Sequence, residues 1–299
     1  MSTTGIHISL SAEPIAHLGD FAITNSMFTS LVVSLLLVAF ALVVNRSLKK
    51  TEHPSGLQNF AEWLVESLFN LVYGVTGDLK KARLFFPIIA TFFIFILLNN
   101  WLGLVPGVGT IMTPLSETVE KATQLESGAA SPEKPASITQ IEEAKLLETD
   151  IKAEETVLAK IKTGQPQELV PLFRAGTADL NTTLALGIIS VISIQLYGYH
   201  FSKLGYFTKF FNFSSPMMFY VGLLELISEV SKVISFAFRL FGNIFAGEVL
   251  LVVISSLTGL IGPLPFYGLE IFVGFIQALV FAMLSLVLMN MASLGHEEH

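Results

Sequence analysis

The sequence predicts an all-α membrane protein with five transmembrane crossings, one amphipathic interfacial helix and two long, tilted C-terminal helices. Of its 299 residues, 52% are hydrophobic and only 14% are charged, whereas a soluble domain carries about 25% charged residues. Five apolar runs also have about the 20 residues with which a helix crosses a bilayer. Cysteine is absent, which excludes disulfides and thiolate metal sites.

The five predicted spans are separated by polar segments and turn-forming residues. They cover 27–44, 84–105, 180–199, 216–257 and 266–291. The fourth span is too long for one upright crossing, because a rise of about 1.5 Å per residue takes it well beyond a hydrocarbon core of about 30 Å. It must be tilted, bent or folded into a tight hairpin. No strong turn signal lies near Arg239, so tilt is favoured.

A sixth helix is predicted over 57–75, on the membrane surface. Its apolar residues share one helical face and polar residues interrupt the rest, which is typical of an interfacial amphipathic helix. The apolar face comprises Phe60, Leu64, Leu68, Leu71 and Val72, and the interrupting residues are Gln58, Glu62, Glu66 and Asn70.

Composition divides the chain into four segments. Residues 1–26 form an external N-terminal segment, 27–109 hold the first two spans and the interfacial helix, 110–177 form a polar external insert, and 178–299 form a C-terminal helical domain. Apolar residues near 3–4 spacing predict a short amphipathic or coiled-coil helix over 141–161. The plain alternative is that this stretch has no partner beyond its own insert.

Basic residues predict the orientation, because they favour the cytoplasmic side of a membrane. The loop after the first span carries Arg46, Lys49, Lys50, Lys80, Lys81 and Arg83, and the loop after the third carries Lys203 and Lys209. We therefore expect the N-terminus outside and the C-terminus in the cytoplasm. The first 25 residues contain no Lys or Arg, unlike a cleaved signal peptide. No basic stripe indicates a nucleic-acid partner.

One arginine lies in the middle of the fourth span. Arg239 stands within the apolar run 234–248, where a permanently charged guanidinium costs at least about 2.5–3.5 kcal/mol on insertion scales. At about 100° per residue, one helix face collects a polar stripe, whose members are Ser228, Lys232, Ser235, Arg239 and Asn243. Lipid cannot satisfy these groups. The stripe must therefore face protein or water, and it indicates an ion pathway or a counter-ion site.

Three further polar residues lie deep in the last two spans. Glu248 falls about 180° from Arg239 around the helix, so it must face another helix or a second aqueous cavity. Glu270 and Gln277 are seven residues apart and share one face of the last span, which suits a hydrogen-bonded polar path.

Other candidates lie nearer the ends of the spans. Asp179 and Asn181 stand at the start of the third span, where either is expected to cap the helix or to line an aqueous entrance. Glu225 and Glu229 lie near the inner end of the fourth span. Purely structural alternatives are Ser235 bonding to the i−4 carbonyl, Lys232 snorkelling and Arg239 pairing with a buried carboxylate.

Residues 238–248 read FRLFGNIFAGE in one-letter code. This block resembles the signature of subunit a of the F-type ATP synthase, the static channel subunit of the membrane sector. Supporting matches are DLNTTL at 179–184, IQA at 276–278 and NMAS at 290–293, and the resemblance covers most of the chain from residue 27. The insert is longer than the family's usual outer loop. Glutamate occupies both 248 and 270, as in some members, where others pair Glu with His.

The resemblance implies two offset aqueous half-channels that meet a rotating ring of c subunits, each with one membrane carboxylate. Arg239 would be the electrostatic gate facing that carboxylate, with Ser235, Asn243 and Gln277 lining the path near the ring. Protons would be relayed in the outer half-channel by Glu248 and Glu270, with Asp179 and Asn181 nearer its mouth. Glu225 and Glu229 would be secondary candidates for the inner exit. No metal and no cofactor are implied.

The implied partners are the c ring, b-type peripheral-stalk subunits, the soluble F1 sector and the lipid bilayer. The chain would be a multi-pass subunit of an energy-transducing inner membrane, with no nucleotide site of its own. The alternatives are a sodium-coupled version of the same subunit, a stand-alone ion channel or transporter, and a non-conducting scaffold. Many transporters show repeated halves with broken helices, and the sequence shows no such repeat.

Overall fold

The fold is described from a computed structural model, which covers residues 12–18, 21–47, 56–105, 112–114, 169–203, 206, 210, 215–259 and 261–294. The α-helices in this part of the chain are α1 (Asn25–Ser47), α2 (Gly56–Thr76), α3 (Leu79–Leu104), α4 (Leu180–Ser202), α5 (Pro216–Thr258) and α6 (Leu264–Ser293). Five of them, all except α2, are long and apolar enough to cross a membrane. The predicted class of an all-α membrane protein is confirmed.

The predicted span of 42 residues is one unbroken helix, α5, of 43 residues. At about 1.5 Å per residue it is about 64 Å long, roughly twice the thickness of the hydrocarbon core. The Ser215 side chain caps its start by accepting from the Met217 backbone N–H, and Pro216 occupies its first turn. It ends at Gly259, whose φ of 71° lies in the left-handed region that glycine tolerates. The hairpin alternative is therefore wrong.

Helices α3, α4, α5 and α6 enclose the hydrophobic core. The Phe281 ring on α6 lies 5.4 Å from the Phe92 ring on α3 and 4.9 Å from the Phe236 ring on α5. Gly187 brings α4 close to α5, since a Cβ there would lie 3.0 Å from the Val233 carbonyl oxygen. The core thereby fixes the rotation of α5 about its own axis.

Helix α3 begins five residues earlier than the apolar run predicts. The Asp78 side chain caps it by accepting from the Lys80 backbone N–H at 2.8 Å, so the basic residues before the apolar run are already helical. Helix α2 matches the predicted amphipathic helix in its bounds, but Phe60 and Trp63 stand exposed and Val72 is buried. Hydropathy locates the apolar stretch, whereas capping decides where the helix starts.

Two short antiparallel strand pairs, which the sequence did not predict, lie outside the spans. The first pairs β1 (Pro14–Leu18) with β2 (Phe21–Thr24), just before α1. The second pairs β3 (Met112–Pro114) with β4 (Leu169–Pro171). The second pair joins the two ends of the insert. The helix predicted over 141–161 lies outside the described residues, and the four-segment division stays a prediction.

Candidate functional site

The polar stripe lies on the side of α5 that faces away from the core. Ser228, Ser235, Arg239 and Asn243 are exposed and Lys232 is half-buried. The opposite side is buried among the other helices through Phe236, Ala237, Leu240, Phe241 and Ile244. The Arg239 side chain makes no hydrogen bond or ion pair with any residue that the structure describes. The sequence left open that Arg239 pairs with a buried carboxylate of its own chain. None of the described residues supplies such a carboxylate.

One hydrogen bond connects the stripe to α6. Asn243 Nδ2 donates to Gln277 Oε1 at 2.6 Å, and Gln277 is only 4% exposed. The other amide atom, Gln277 Nε2, is buried and has no partner within the described part of the chain. The sequence placed both residues on a polar path, and the structure brings them into contact.

Glu270 lies against the backbone of α5. Its side chain is buried and packs at Gly247, where a Cβ would collide with the carboxylate. Glycine is therefore required at 247 for the close approach of the two helices. The Glu270 side chain has no hydrogen bond or ion pair among the described residues, so the structure does not pair it with Glu248.

Glu248 is paired with an arginine that the sequence analysis did not identify. Arg174 Nε lies 3.1 Å from both carboxylate oxygens of Glu248. The Arg174 side chain is 6% exposed and that of Glu248 is 38% exposed. The Arg174 backbone N–H donates to Thr29 Oγ1 at 3.2 Å, and its guanidinium lies 6.0 Å from the centre of the Phe245 ring. The prediction that Glu248 faces away from the stripe agrees with this pair.

Asp179 is a helix cap that is also buried. One carboxylate oxygen accepts from the Asn181 backbone N–H at 3.1 Å, and the other accepts from Ser26 Oγ at 3.0 Å. The capping alternative is therefore confirmed for Asp179, while the Asn181 side chain stands exposed. We call Arg174, Glu248 and Asp179, with their partners Ser26 and Thr29, the Arg174 cluster.

The segment just before Asp179 packs inside the helices. A Cβ at Gly176 would collide with Ser30 Oγ and Asn99 Oδ1, and Thr177 donates to Asn100 Oδ1. Asn100 Nδ2 in turn donates to the Gly274 carbonyl at 3.0 Å. The sequence had assigned this segment to the external insert. Two features of the sequence could have indicated this packing. The segment before Asp179 carries little charge, and two adjacent asparagines, Asn99 and Asn100, stand at the end of an apolar span where they need hydrogen-bond partners.

A second polar group lies on α5 on the other side of Arg239. Glu229 Oε1 accepts from Lys232 Nζ at 2.7 Å, and Glu225 is half-buried one turn earlier. Glu229 and Glu248 are thus about 15 Å and 14 Å from Arg239 along the axis, in opposite directions. This separation places candidate carboxylates on both sides of the central arginine.

Tyr206, between α4 and α5, completes this second group. Its hydroxyl donates to Gln195 Oε1 at 2.7 Å, and its ring packs at Gly198, where a Cβ would collide with it. Burial, together with the negative charges of Glu229 and Glu225, raises the pKa of Tyr206 to about 12. The phenol therefore stays protonated and remains a fixed hydrogen-bond donor at physiological pH.

Comparison with known proteins places the chain in a family. Residues 27–290 match the family model described as ATP synthase A chain. The chain is 28% identical to ATP synthase subunit a of Trichlorobacter lovleyi, over 94% of this chain and 91% of the relative. It is 29% identical to that of Gloeobacter violaceus (99% and 92%) and 30% identical to the chloroplastic subunit a of Stigeoclonium helveticum (87% and 80%). The resemblance of residues 238–248 is confirmed, and the chain belongs to the ATP synthase A chain family, whose members are ion-translocating subunits of the enzyme's membrane sector.

Proposed function

We propose that this chain is the static proton-channel subunit of a rotary ATP synthase, which conducts protons through two offset half-channels to and from a rotating c ring. The observation that supports this proposal is the exposed position of Arg239 on the outward side of α5. A guanidinium within an apolar span needs a counter-charge, since its insertion costs at least about 2.5 kcal/mol. A carboxylate on a neighbouring subunit would supply one.

The role of Arg239 follows from the cost of charge in lipid. An ionised carboxylate cannot face hydrocarbon cheaply, whereas a protonated one can. Arg239 would stabilise the ionised form of each ring carboxylate as it passes and so promote release of its proton. The same positive charge would repel a proton that moves directly from one half-channel to the other.

The outer half-channel is proposed on the side of Arg239 that contains Glu248. Glu248 and Glu270 would relay protons there, with Asp179 and Asn181 nearer the mouth. Asn243 and Gln277 already form one hydrogen bond between α5 and α6 and, with Ser235, would line the last part of the path. The unpartnered Gln277 Nε2 supports a water or ring carboxylate at this point, because a buried N–H without a partner is costly.

The inner half-channel is proposed on the other side of Arg239, at Glu225 and Glu229. The two groups of carboxylates lie about 29 Å apart along α5, and we propose that the ring carries protons between them. The basic loops support an orientation with the N-terminus outside and the C-terminus in the cytoplasm. In an energy-transducing inner membrane, the membrane potential would supply about 2.3 kcal/mol for each proton per 100 mV.

The partners proposed with this function are the c ring, b-type stalk subunits, the soluble F1 sector and the surrounding lipid. The mostly exposed surface of α1, of which 11% is buried in its span, leaves ample apolar area for lipid or for other subunits. Sodium coupling of the same subunit remains the alternative. A stand-alone channel or a scaffold would not need Arg239 to couple transport to ATP.

The test is passive proton flux through membranes that carry the complex stripped of its soluble sector, together with ATP synthesis by the intact complex. We expect Arg239→Ala to leak protons while coupled synthesis is lost. Phe238→Leu, at an exposed neighbour without charge, is the matched control and should not leak. If Arg239→Ala neither leaks nor loses coupling, the gate assignment is wrong. Synthesis that stops in sodium-free medium would favour the sodium alternative.

A further inference from the structure

The stripe on α5 carries two cations, and they differ in their partners. Lys232 and Arg239 are seven residues apart, which is about two turns, and so lie on one side of the helix. Lys232 Nζ lies 2.7 Å from Glu229 Oε1, whereas Arg239 has no carboxylate partner among the described residues. One charge of the stripe is therefore compensated by a described residue of this chain, and the other has no such partner in the described part of the chain.

The Glu229–Lys232 pair draws the ammonium group off the stripe. The Glu229 side chain is 8% exposed and that of Lys232 is 25% exposed, so the pair lies mainly inside the protein. Lysine is a compact charge on a flexible stem, which can turn toward a carboxylate three residues earlier. With both groups ionised the pair has no net charge.

The length of α5 determines how the pairing of Lys232 with Glu229 would affect a moving carboxylate. A helix about twice as long as the hydrocarbon core is thick must run obliquely if it lies within that core. Residues of the stripe then differ in their position along the membrane plane as well as in their depth within the membrane. A carboxylate that moves along the stripe would meet Lys232 and Arg239 in succession, and each uncompensated cation would be a place where it stops.

We propose that Glu229 is a built-in counter-ion for Lys232, which leaves Arg239 as the single stopping point for the ring carboxylates. This inference rests on the proposed function, because it requires a ring that faces the stripe. It refines the inner half-channel proposed above, because Glu225 keeps the proton-carrying role there and Glu229 takes a positioning role. The neutral pair lets ring carboxylates pass Lys232 without being held.

The test compares Glu229→Gln, Lys232→Gln and the double variant in the whole complex, by ATP-driven proton pumping in inverted vesicles. Glu229→Gln exposes a second cation and is expected to slow pumping by about tenfold or more, given the strength of charge pairs in a low-dielectric site. The double variant removes both charges and should recover most of the lost rate. Lys232→Gln alone is the charge-removal control and should pump faster than Glu229→Gln. Immunoblots of the subunit check that all variants are inserted equally.

Cysteine cross-linking gives a second readout, because the chain has no cysteine of its own. Ser228 precedes Lys232 by four residues and Ser235 precedes Arg239 by four, so Ser228→Cys and Ser235→Cys are matched reporters. Each is cross-linked to a cysteine placed beside the ring carboxylate. Glu229→Gln should shift cross-linking from position 235 toward 228, and the double variant should reverse the shift.

The outcomes separate this inference from the proposed function. If Glu229→Gln pumps like the wild type, or the double variant is as slow as the single one, Glu229 is not a counter-ion. If Glu229→Gln and the double variant are both slow, the result would instead indicate that Glu229 carries protons in the inner half-channel. Failure of the proposed function would appear elsewhere, as an Arg239→Ala variant that keeps coupling.

Discussion

Two arginines of this chain, Arg174 and Arg239, have opposite environments. Arg174 is buried, bound to both oxygens of Glu248 and held by Thr29 through its backbone. Arg239 is exposed on α5 and has no charged partner among the described residues. Each lies in an apolar environment, so each needs a counter-charge. The first finds it in its own chain, and the second is proposed to find it in a neighbouring subunit.

The comparison separates residues that hold this subunit together from residues that await a partner. The Arg174 cluster joins the start of α1, the start of α4 and the second half of α5. Disruption of that cluster should therefore affect folding as well as conduction. Replacement of Arg239 should affect conduction alone, because its side chain is exposed and has no hydrogen bond or ion pair among the described residues.

Replacement of Arg174 is expected to have the largest effect on stability. Arg174→Met leaves the Glu248 carboxylate without its counter-charge, and since that carboxylate is 38% exposed, the expected loss is about 2–3 kcal/mol, below the full cost of breaking a buried pair. Arg239→Ala should change stability by less than about 0.5 kcal/mol. Thermal unfolding of the solubilised membrane sector measures both.

A double variant shows which part of the loss is structural. Arg174→Met with Glu248→Gln removes both charges and should recover most of the stability, because no uncompensated charge remains. Conduction should stay impaired, since the proposed relay carboxylate is gone. Recovery of both properties would remove Glu248 from the path.

Two glycines of α5 offer a matched pair with a smaller expected effect. At Gly247 an added Cβ would collide with the Glu270 carboxylate, whereas at Gly242 it would meet nothing within 4 Å. Gly247→Ala should cost about 1–3 kcal/mol by overpacking, and Gly242→Ala should gain about 0.5–1 kcal/mol of helix stability. Unfolding midpoints of the two variants decide the sign of each change.

The same pair reports on the outward side of α5. Gly242 is exposed beside the stripe, so a stable Gly242→Ala variant that loses coupled pumping would indicate close contact with another subunit. Unchanged pumping would argue that no partner approaches α5 closely at that position.

At Tyr206 the expected effect is limited to the loss of one hydrogen bond. Tyr206→Phe removes the hydrogen bond to Gln195 and should cost about 1 kcal/mol. Since the pKa of Tyr206 is raised from 10.0 to about 12, the folded protein keeps a proton that the unfolded chain releases across this range. The stability that this proton contributes is lost as the pH rises through it, and the variant should lack that loss. Unfolding as a function of pH tests this, with exposed Tyr220→Phe as the control.

The sequence was sufficient for every feature that depends on local periodicity and on the thickness of a bilayer. Five spans and the amphipathic helix were predicted to within a few residues, because apolar length is set by the hydrocarbon core. The stripe through Arg239 was predicted because side chains repeat every 100° on a helix. Asn243 and Gln277 were both assigned to the path near the ring, but their hydrogen bond is seen only in the structure.

The sequence analysis did not predict where α3 begins or how the short strands pair. Asp78 starts α3 before the apolar run, which hydropathy does not register. The β3–β4 pair joins residues that are more than fifty positions apart, and no local pattern connects them. The length of the fourth span allowed a tilted helix, a bent helix or a hairpin. Only the structure excluded the hairpin, since α5 is one unbroken helix.

By itself, then, the sequence determined the class, the spans, the stripe and the family resemblance, because each is encoded in neighbouring residues. Only the tertiary structure decided which charges are paired. Arg174 and Glu248 are 74 residues apart, and the packing of segment 171–178 among the helices brings them together. The rotation of α5, fixed by the core, turns Arg239 outward. Two charges pair only when they lie within a few ångströms of each other, and packing sets the distance between residues that are remote in the sequence.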